Sequence, residues 1–188
     1  MKGRLSLICH GPTISNREGR FPADEPLEER AASQVDRLLP RLGSIGSVST
    51  SPALRARQTA AALSREYTVE PRLRECDYGR WRGLSIADLA ETEPEALALW
   101  MTDFSAAPHG GETLLSVLDR VDSWLNARIG DSGHAVVVTH ATVVRAAILH
   151  ILGAPTQAFW RMDVEPFSIT EMTTDGNRWQ LRLTNAVR

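Results

Sequence analysis

Two apolar runs of strand length, each closing on a histidine, constrain this chain more than any other feature. In Arg4–Thr13, the residues Leu5, Leu7 and Ile8 form a short apolar strand that runs into Cys9 and His10. Gly11–Pro12 then forces a turn. The segment Ala135–Val136–Val137–Val138–Thr139 has the same shape and ends on His140. A residue at the C-terminal end of a buried strand sits where an open α/β sheet gives way to loops, the edge at which such sheets bind ligands. Two such strands predict two imidazoles in one crevice.

The segments between them alternate in period. Leu27, Ala31, Val35, Leu38 and Leu39 recur at helical spacing up to Pro40, and Ile45–Thr50 reads as a strand. Ser51–Pro52 predicts a helix start, with Ser51 as N-cap and Leu54, Ala61, Ala62 and Leu63 facing inward. Arg55 falls on the first turn of that helix, near the strand ends. Thr68–Pro71 reads as a brief strand, Ser85–Leu89 and Pro94–Trp100 as short helices, and Glu112–Ile129 as a longer amphipathic one. A helix over Thr142–Leu152 is stopped by Gly153 and Pro155. Glu165–Thr173 and Trp179–Leu183, joined through Asp175–Gly176–Asn177, predict a hairpin at a sheet edge. The expected fold is α/β, three layers (α/β/α) around a mostly parallel central sheet, in one domain spanning residues 1–188.

Composition narrows the chemistry. A net charge of −2 gives no general attraction for nucleic acid or an anionic membrane. With no charged leader before a long apolar run and no stretch of bilayer length, a cytoplasmic protein is expected. Cys9 and Cys76 are too few for a disulfide framework and lack metal-ligand spacing. His109, His134 and His150 read as structural or surface residues. Taken singly, His10, Arg55, Glu75 and His140 are ordinary; the convergence of His10, Arg55 and His140 on one rim of the sheet is what suggests chemistry.

The order and context of these residues resemble the histidine phosphatase superfamily, which includes the cofactor-dependent phosphoglycerate mutases. Cys9–His10–Gly11–Pro12–Thr13–Ile14–Ser15–Asn16 resembles that family's opening Arg-His-Gly signature with its following Thr and Asn. Ser51–Ala60 is close to the second block, while Leu73, Glu75, Tyr78–Gly79, Trp81 and Gly83 match the third. Gly110–Gly111–Glu112–Thr113 resembles the fourth and Val138–Thr139–His140 the last. The resemblance implies that His10 attacks phosphorus and becomes a phosphohistidine. Arg55 would clamp the phosphoryl oxygens, and protonated His140 would stabilise charge growing on them. Glu75 would serve as general acid and then as general base. Thr13, Asn16 and the amide of Ala141 would line the pocket for a small phosphorylated substrate. No metal and no cofactor is implied.

One departure matters. The arginine expected before the nucleophilic histidine is Cys9 here. Losing one preorganised donor of this kind costs roughly 3–4 kcal/mol, about 10²–10³ in rate. Three readings stand. Arg17, Arg20, Arg74 or Arg80 replaces it; the enzyme is slow, or takes a substrate with its own positive charge; or the protein is an impaired relative that binds a phosphorylated ligand or partner. Cys9 as nucleophile of a low-molecular-weight cysteine phosphatase needs an arginine six positions on, where Ser15 stands. The short segment Gly83–Pro108 fits a phosphatase better than a mutase. Its Leu97, Leu99, Trp100, Met101 and Phe104 read either as core packing or as a hydrophobic lip. The cluster Arg72, Arg74, Arg80 and Arg82 reads either as a steering field or as solvated charge.

Overall fold

The computed structural model describes residues 3–186. The two histidine-terminated strands, β1 (Gly3–Cys9) and β4 (Gly133–Thr139), lie side by side and parallel, in register from Gly3 opposite Gly133 to Cys9 opposite Thr139. They form the centre of a six-stranded sheet of order β3-β2-β4-β1-β5-β6, with β2 (Ser47–Thr50), β3 (Thr68–Val69), β5 (Ile169–Thr174) and β6 (Trp179–Ala186). The first four strands in that order are parallel. β5 and β6 add antiparallel at one side. The α/β/α layering predicted from the sequence is observed.

Both faces of the central strands are covered, which is why their sequences are apolar almost without interruption. Leu5, Leu7, Cys9 and Val137 face one core with α6 (Leu114–Asn126) and α7 (Ala141–Leu152). Ile8, Val136 and Val138 face the other, with α3 (Leu54–Leu63) and a 3₁₀ helix at Ala32–Leu38. The remaining helices are α1 (Ile14–Glu18), α2 (Leu39–Leu42), α4 (Ile86–Thr92) and α5 (Pro94–Thr102). Each sits at a connection. Among the described residues no helix is long and apolar enough to cross a membrane.

Several local expectations are corrected. The helix predicted up to Pro40 is a 3₁₀ helix followed by α2, and Pro40 lies in the first turn of α2, where its missing N–H is not needed. Ala31, Val35, Leu38 and Leu42 hold that segment down, while Leu39 is exposed. In α3 the buried positions are Arg55, Ala56, Thr59 and Ala60, whereas Ala61 and Ala62 face solvent. Polar residues take the inner face there because Thr59 and Arg55 hydrogen-bond the turn that follows β1. Ser51 does not cap α3. The N-cap position is Ala53, and the Asp24 carboxylate accepts from Leu54 N–H at 2.7 Å instead. The predicted strand at Glu165 begins only at Ile169, because Phe167 adopts φ 62° and donates its N–H to the Cys9 carbonyl at 3.0 Å.

Candidate active site

His10 follows the last residue of β1, and its backbone N–H donates to the Thr139 carbonyl at 2.9 Å, so the two strand ends are tied together. The next residue must be small: a Cβ on Gly11 would lie 2.4 Å from the Phe167 ring. Gly11 N–H donates to Thr59 Oγ1 at 3.1 Å, and Thr59 Oγ1 donates to the Arg55 carbonyl at 2.9 Å. The turn carrying His10 is thus fastened from β4, from α3 and from Phe167.

The two imidazoles face one another edge-on, with ring centroids 5.1 Å apart and planes at 64°. Arg55 bridges them. Its Nε donates to His10 Nε2 at 3.1 Å and an Nη to His140 Nδ1 at 3.3 Å. All three side chains are buried. His10 Nδ1 lies 2.7 Å from the Gly11 carbonyl, which fixes the proton on Nδ1 and leaves the Nε2 lone pair facing the site. His140 Nε2 is held at 2.7 Å by Ser51 Oγ.

Burial, and then the Arg55 charge, push His10 from 6.5 down to about 3. The same causes, in the same order, hold His140 well below its ordinary range. Both rings are therefore neutral in the resting protein. Glu75 completes the group, with Oε2 at 3.7 Å from His140 Nδ1 and Oε1 accepting the Cys76 N–H at 2.8 Å. Its loop is set by backbone-to-backbone contact: a Cβ on Gly111 would be 2.0 Å from the Asp77 carbonyl oxygen.

The proposed substrate-binding residues divide. Thr13 is buried beside the His10 loop and caps α1. Asn16 is exposed on α1, its Oδ1 accepting from Thr13 N–H at 3.1 Å and its own N–H donating to Thr13 Oγ1 at 3.3 Å. Ala141 opens α7, and its amide faces the Cys9 thiol. That thiol is buried, and burial followed by the nearby Glu75 charge pushes it up to about 12. A thiol so reluctant to ionise is no nucleophile near neutral pH. Both cysteines are free.

A cavity of about 440 Å³ opens beside Arg55 and Glu75, walled by Asp24, Arg74, Asp77 and Arg82. None of Leu97, Leu99, Trp100, Met101 and Phe104 lines it, so the hydrophobic lip is not formed. Trp100 instead packs among Phe21, Tyr78, Trp81 and Trp160. Nor do the loop arginines make a free cationic field. Arg72, Arg74 and Arg82 pair with Glu70, Glu112 and Asp77 at 2.8, 2.9 and 3.7 Å, and Arg80 pairs with Glu93.

Four contributors escaped the sequence reading. Ser51 was assigned to the wrong job. Thr59 was legible, one turn after Arg55 on the same helix face. Phe167, and Glu25, whose Oε1 accepts from Thr13 Oγ1 at 3.0 Å, carried no local signal, because their positions depend on loops packed from elsewhere. Among the described residues no group of three or more His, Cys, Asp and Glu is arranged to hold a metal ion.

Known proteins share this fold. The profile of the histidine phosphatase superfamily (branch 1) matches residues 5–187. A bifunctional protein of Mycobacterium tuberculosis is 34% identical over 195 residues, covering 97% of this chain and 53% of that protein. The chain thus spans about half the length of the mycobacterial relatives of this type. Phosphoserine phosphatase 1 of Hydrogenobacter thermophilus is 30% identical over 186 residues, covering 90% and 86% of the two chains. The structure of a mycobacterial glucosyl-3-phosphoglycerate phosphatase in complex with VO3 superposes with a TM-score of 0.85 at 27% identity, covering 97% and 98%.

Proposed function

Because this chain belongs to the histidine phosphatase superfamily, we propose that it is a metal-independent phosphatase that hydrolyses a small phosphomonoester through a phosphohistidine on His10. The observation that carries the reading is the Arg55 fork, one guanidinium in hydrogen-bond reach of His10 Nε2 and His140 Nδ1 at 3.1 and 3.3 Å. A tetrahedral dianion entering between the rings takes over those donors. Neutral His10 then presents an unprotonated Nε2, as a nucleophile must.

In the first step the Nε2–phosphorus bond forms and the bond to the ester oxygen breaks, with Glu75 delivering a proton to the departing alcohol. In the second step water attacks phosphorus, Glu75 takes the water proton, and the phosphorus–nitrogen bond breaks to release phosphate. Such proton transfer contributes roughly 10²–10⁴-fold. His140 is neutral at rest, but a bound dianion favours its protonated form. It then donates from Nδ1 to the phosphoryl oxygens while Ser51 holds the ring. Thr13, Asn16 and Ala141 form the surrounding wall. The protein acts as one domain in the cytoplasm, on small substrates rather than on nucleic acid.

A second reading, an impaired relative that binds a phosphorylated ligand or partner, is favoured by one observation. Cys9 is packed into the core where the family's arginine is expected, and among the described residues no arginine other than Arg55 hydrogen-bonds either imidazole. Wild type, His10→Ala and Cys9→Arg assayed on an aryl phosphate without metal separate the two. Turnover by wild type that disappears in His10→Ala supports the phosphatase. A silent wild type awakened by Cys9→Arg supports the impaired relative.

A further inference from the structure

We infer that Ser51 is a positioning residue: by holding the His140 proton on Nε2, it makes Nδ1, the nitrogen beside Arg55, the one that gains a proton when a phosphoryl group binds. The inference rests on the phosphatase reading of the same site and concerns how His140 is prepared for its part in it.

Two hydrogen bonds decide the tautomer. A guanidinium has only N–H donors, so the Arg55 Nη at 3.3 Å from His140 Nδ1 requires a lone pair there. A ring nitrogen that accepts from arginine carries no proton. The ring is therefore neutral, and its one proton sits on Nε2, which donates to Ser51 Oγ at 2.7 Å. The opposite tautomer would set an Nδ1–H against the Arg55 N–H, two donors with no acceptor between them.

Ser51 is a rigid acceptor. Its backbone N–H donates to the Val138 carbonyl on β4 at 2.9 Å, two residues before His140. Its Oγ also accepts from Ala53 N–H at 3.3 Å, so two incoming donors use both lone pairs of the hydroxyl. Ser51 and His140 are both 0% exposed, which keeps bulk solvent from the bond between them.

Nothing in that arrangement has to change when a ligand arrives. A phosphoryl group that draws the Arg55 Nη to itself frees the Nδ1 lone pair. A proton taken up there from solvent leaves Nε2–H on Ser51 and turns Nδ1 into a second donor. The buried imidazolium then has an acceptor at each nitrogen, and without Ser51 one N–H would go unpaired. Arg55 of α3, His10 after β1 and Arg120 of α6 oppose that proton. The Glu75 carboxylate, with Oε2 at 3.7 Å from Nδ1, and the bound phosphoryl charge favour it.

The test reads the ring nitrogens of His140 by NMR in the full chain, free and with orthovanadate as the phosphoryl mimic. Wild type is expected to carry its proton on Nε2 when free and one on each nitrogen with vanadate bound. Ser51→Ala is expected to lose the second protonation and to lower kcat on an aryl phosphate about 10–100-fold, the worth of one hydrogen bond to a charged group. A residue that acts only through the ring adds nothing once the ring is gone, so Ser51→Ala combined with His140→Ala should be no slower than His140→Ala alone. Losses that multiply, or a free wild-type ring with its proton on Nδ1, overturn the inference. A merely structural Ser51 would lower Tm and leave the ring protonation and the kcat of folded protein unmoved, which also overturns it. His10-dependent turnover that Ser51→Ala does not slow refutes the inference and leaves the phosphatase standing. No turnover at all refutes the phosphatase, and the ring signals then decide: a second proton on vanadate binding that Ser51→Ala abolishes upholds the role of Ser51, and its absence, or its persistence in the variant, sinks it.

Discussion

Replacing Arg55 by methionine removes a buried guanidinium while nearly preserving its volume, and the geometry dictates three responses at once. Arg55 contacts two neutral imidazoles and forms no ion pair with a carboxylate among the described residues, so its charge is buried without full compensation. Removing a buried charge that no carboxylate pairs relieves a desolvation penalty of several kcal/mol. Two donated hydrogen bonds are lost in return, and each buried imidazole nitrogen left without its donor costs about 1–3 kcal/mol, which leaves a net gain of about 1–2 kcal/mol. For a chain of this size that corresponds to roughly 2–8 °C in Tm.

The same guanidinium is the second cause, after burial, of the low His10 value, now about 3. A neighbouring charge shifts a titration by roughly 1–3 units. His10 in the variant is therefore expected to titrate higher than in the wild type, still under its ordinary value because burial remains. Turnover on an aryl phosphate is expected to fall about 10²–10³-fold, as when one preorganised donor is deleted. Differential scanning fluorimetry reads the first response, an NMR titration of the histidines the second, and steady-state kinetics the third. A variant that melts several degrees lower, with His10 unmoved, would refute the claim that Arg55 is held for function at the expense of stability.

Two further outcomes follow from the geometry. The unfolded chain titrates its histidines near 6.5, but folded His10 does so at about 3, so between these values the unfolded state binds more protons. Stability is full above ~6.5 and is lost as pH falls towards 3, by up to ~1.4 kcal/mol per pH unit for each such histidine. Tm should therefore drop from pH ~7 to ~5, less steeply in His10→Gln; a flat profile would contradict neutral burial. Gly111→Ala places a Cβ 2.0 Å from the Asp77 carbonyl, a contact that only backbone movement relieves. It should cost about 2–3 kcal/mol by overpacking and reduce turnover by displacing the Glu75 loop. A variant with unchanged Tm and activity would show that the Gly111 contact does not position Glu75.

What the sequence by itself determined is the sheet and the places where chemistry can stand on it. Leu5–Ile8 and Ala135–Val138 are apolar on both faces, so they must be central strands, and the polar residues that end them must emerge on one edge. His10 and His140 meet for that reason, and Arg55 follows because the helix after β2 starts at the same edge. Helix phase was less legible. The periodicity of α3 favours Ala61 and Ala62, but the demand of Gly11 N–H for Thr59 and of both imidazoles for Arg55 turned the helix the other way. Only tertiary structure decided the rest. Ser51 holds His140, Phe167 pins the His10 turn from a loop over a hundred residues away, and the loop arginines spend their charge on neighbouring carboxylates. The physical reason is range: strand and helix patterns are set by neighbours along the chain, whereas a hydrogen-bond partner or a charge balance is set by whichever segment packing brings within a few ångströms.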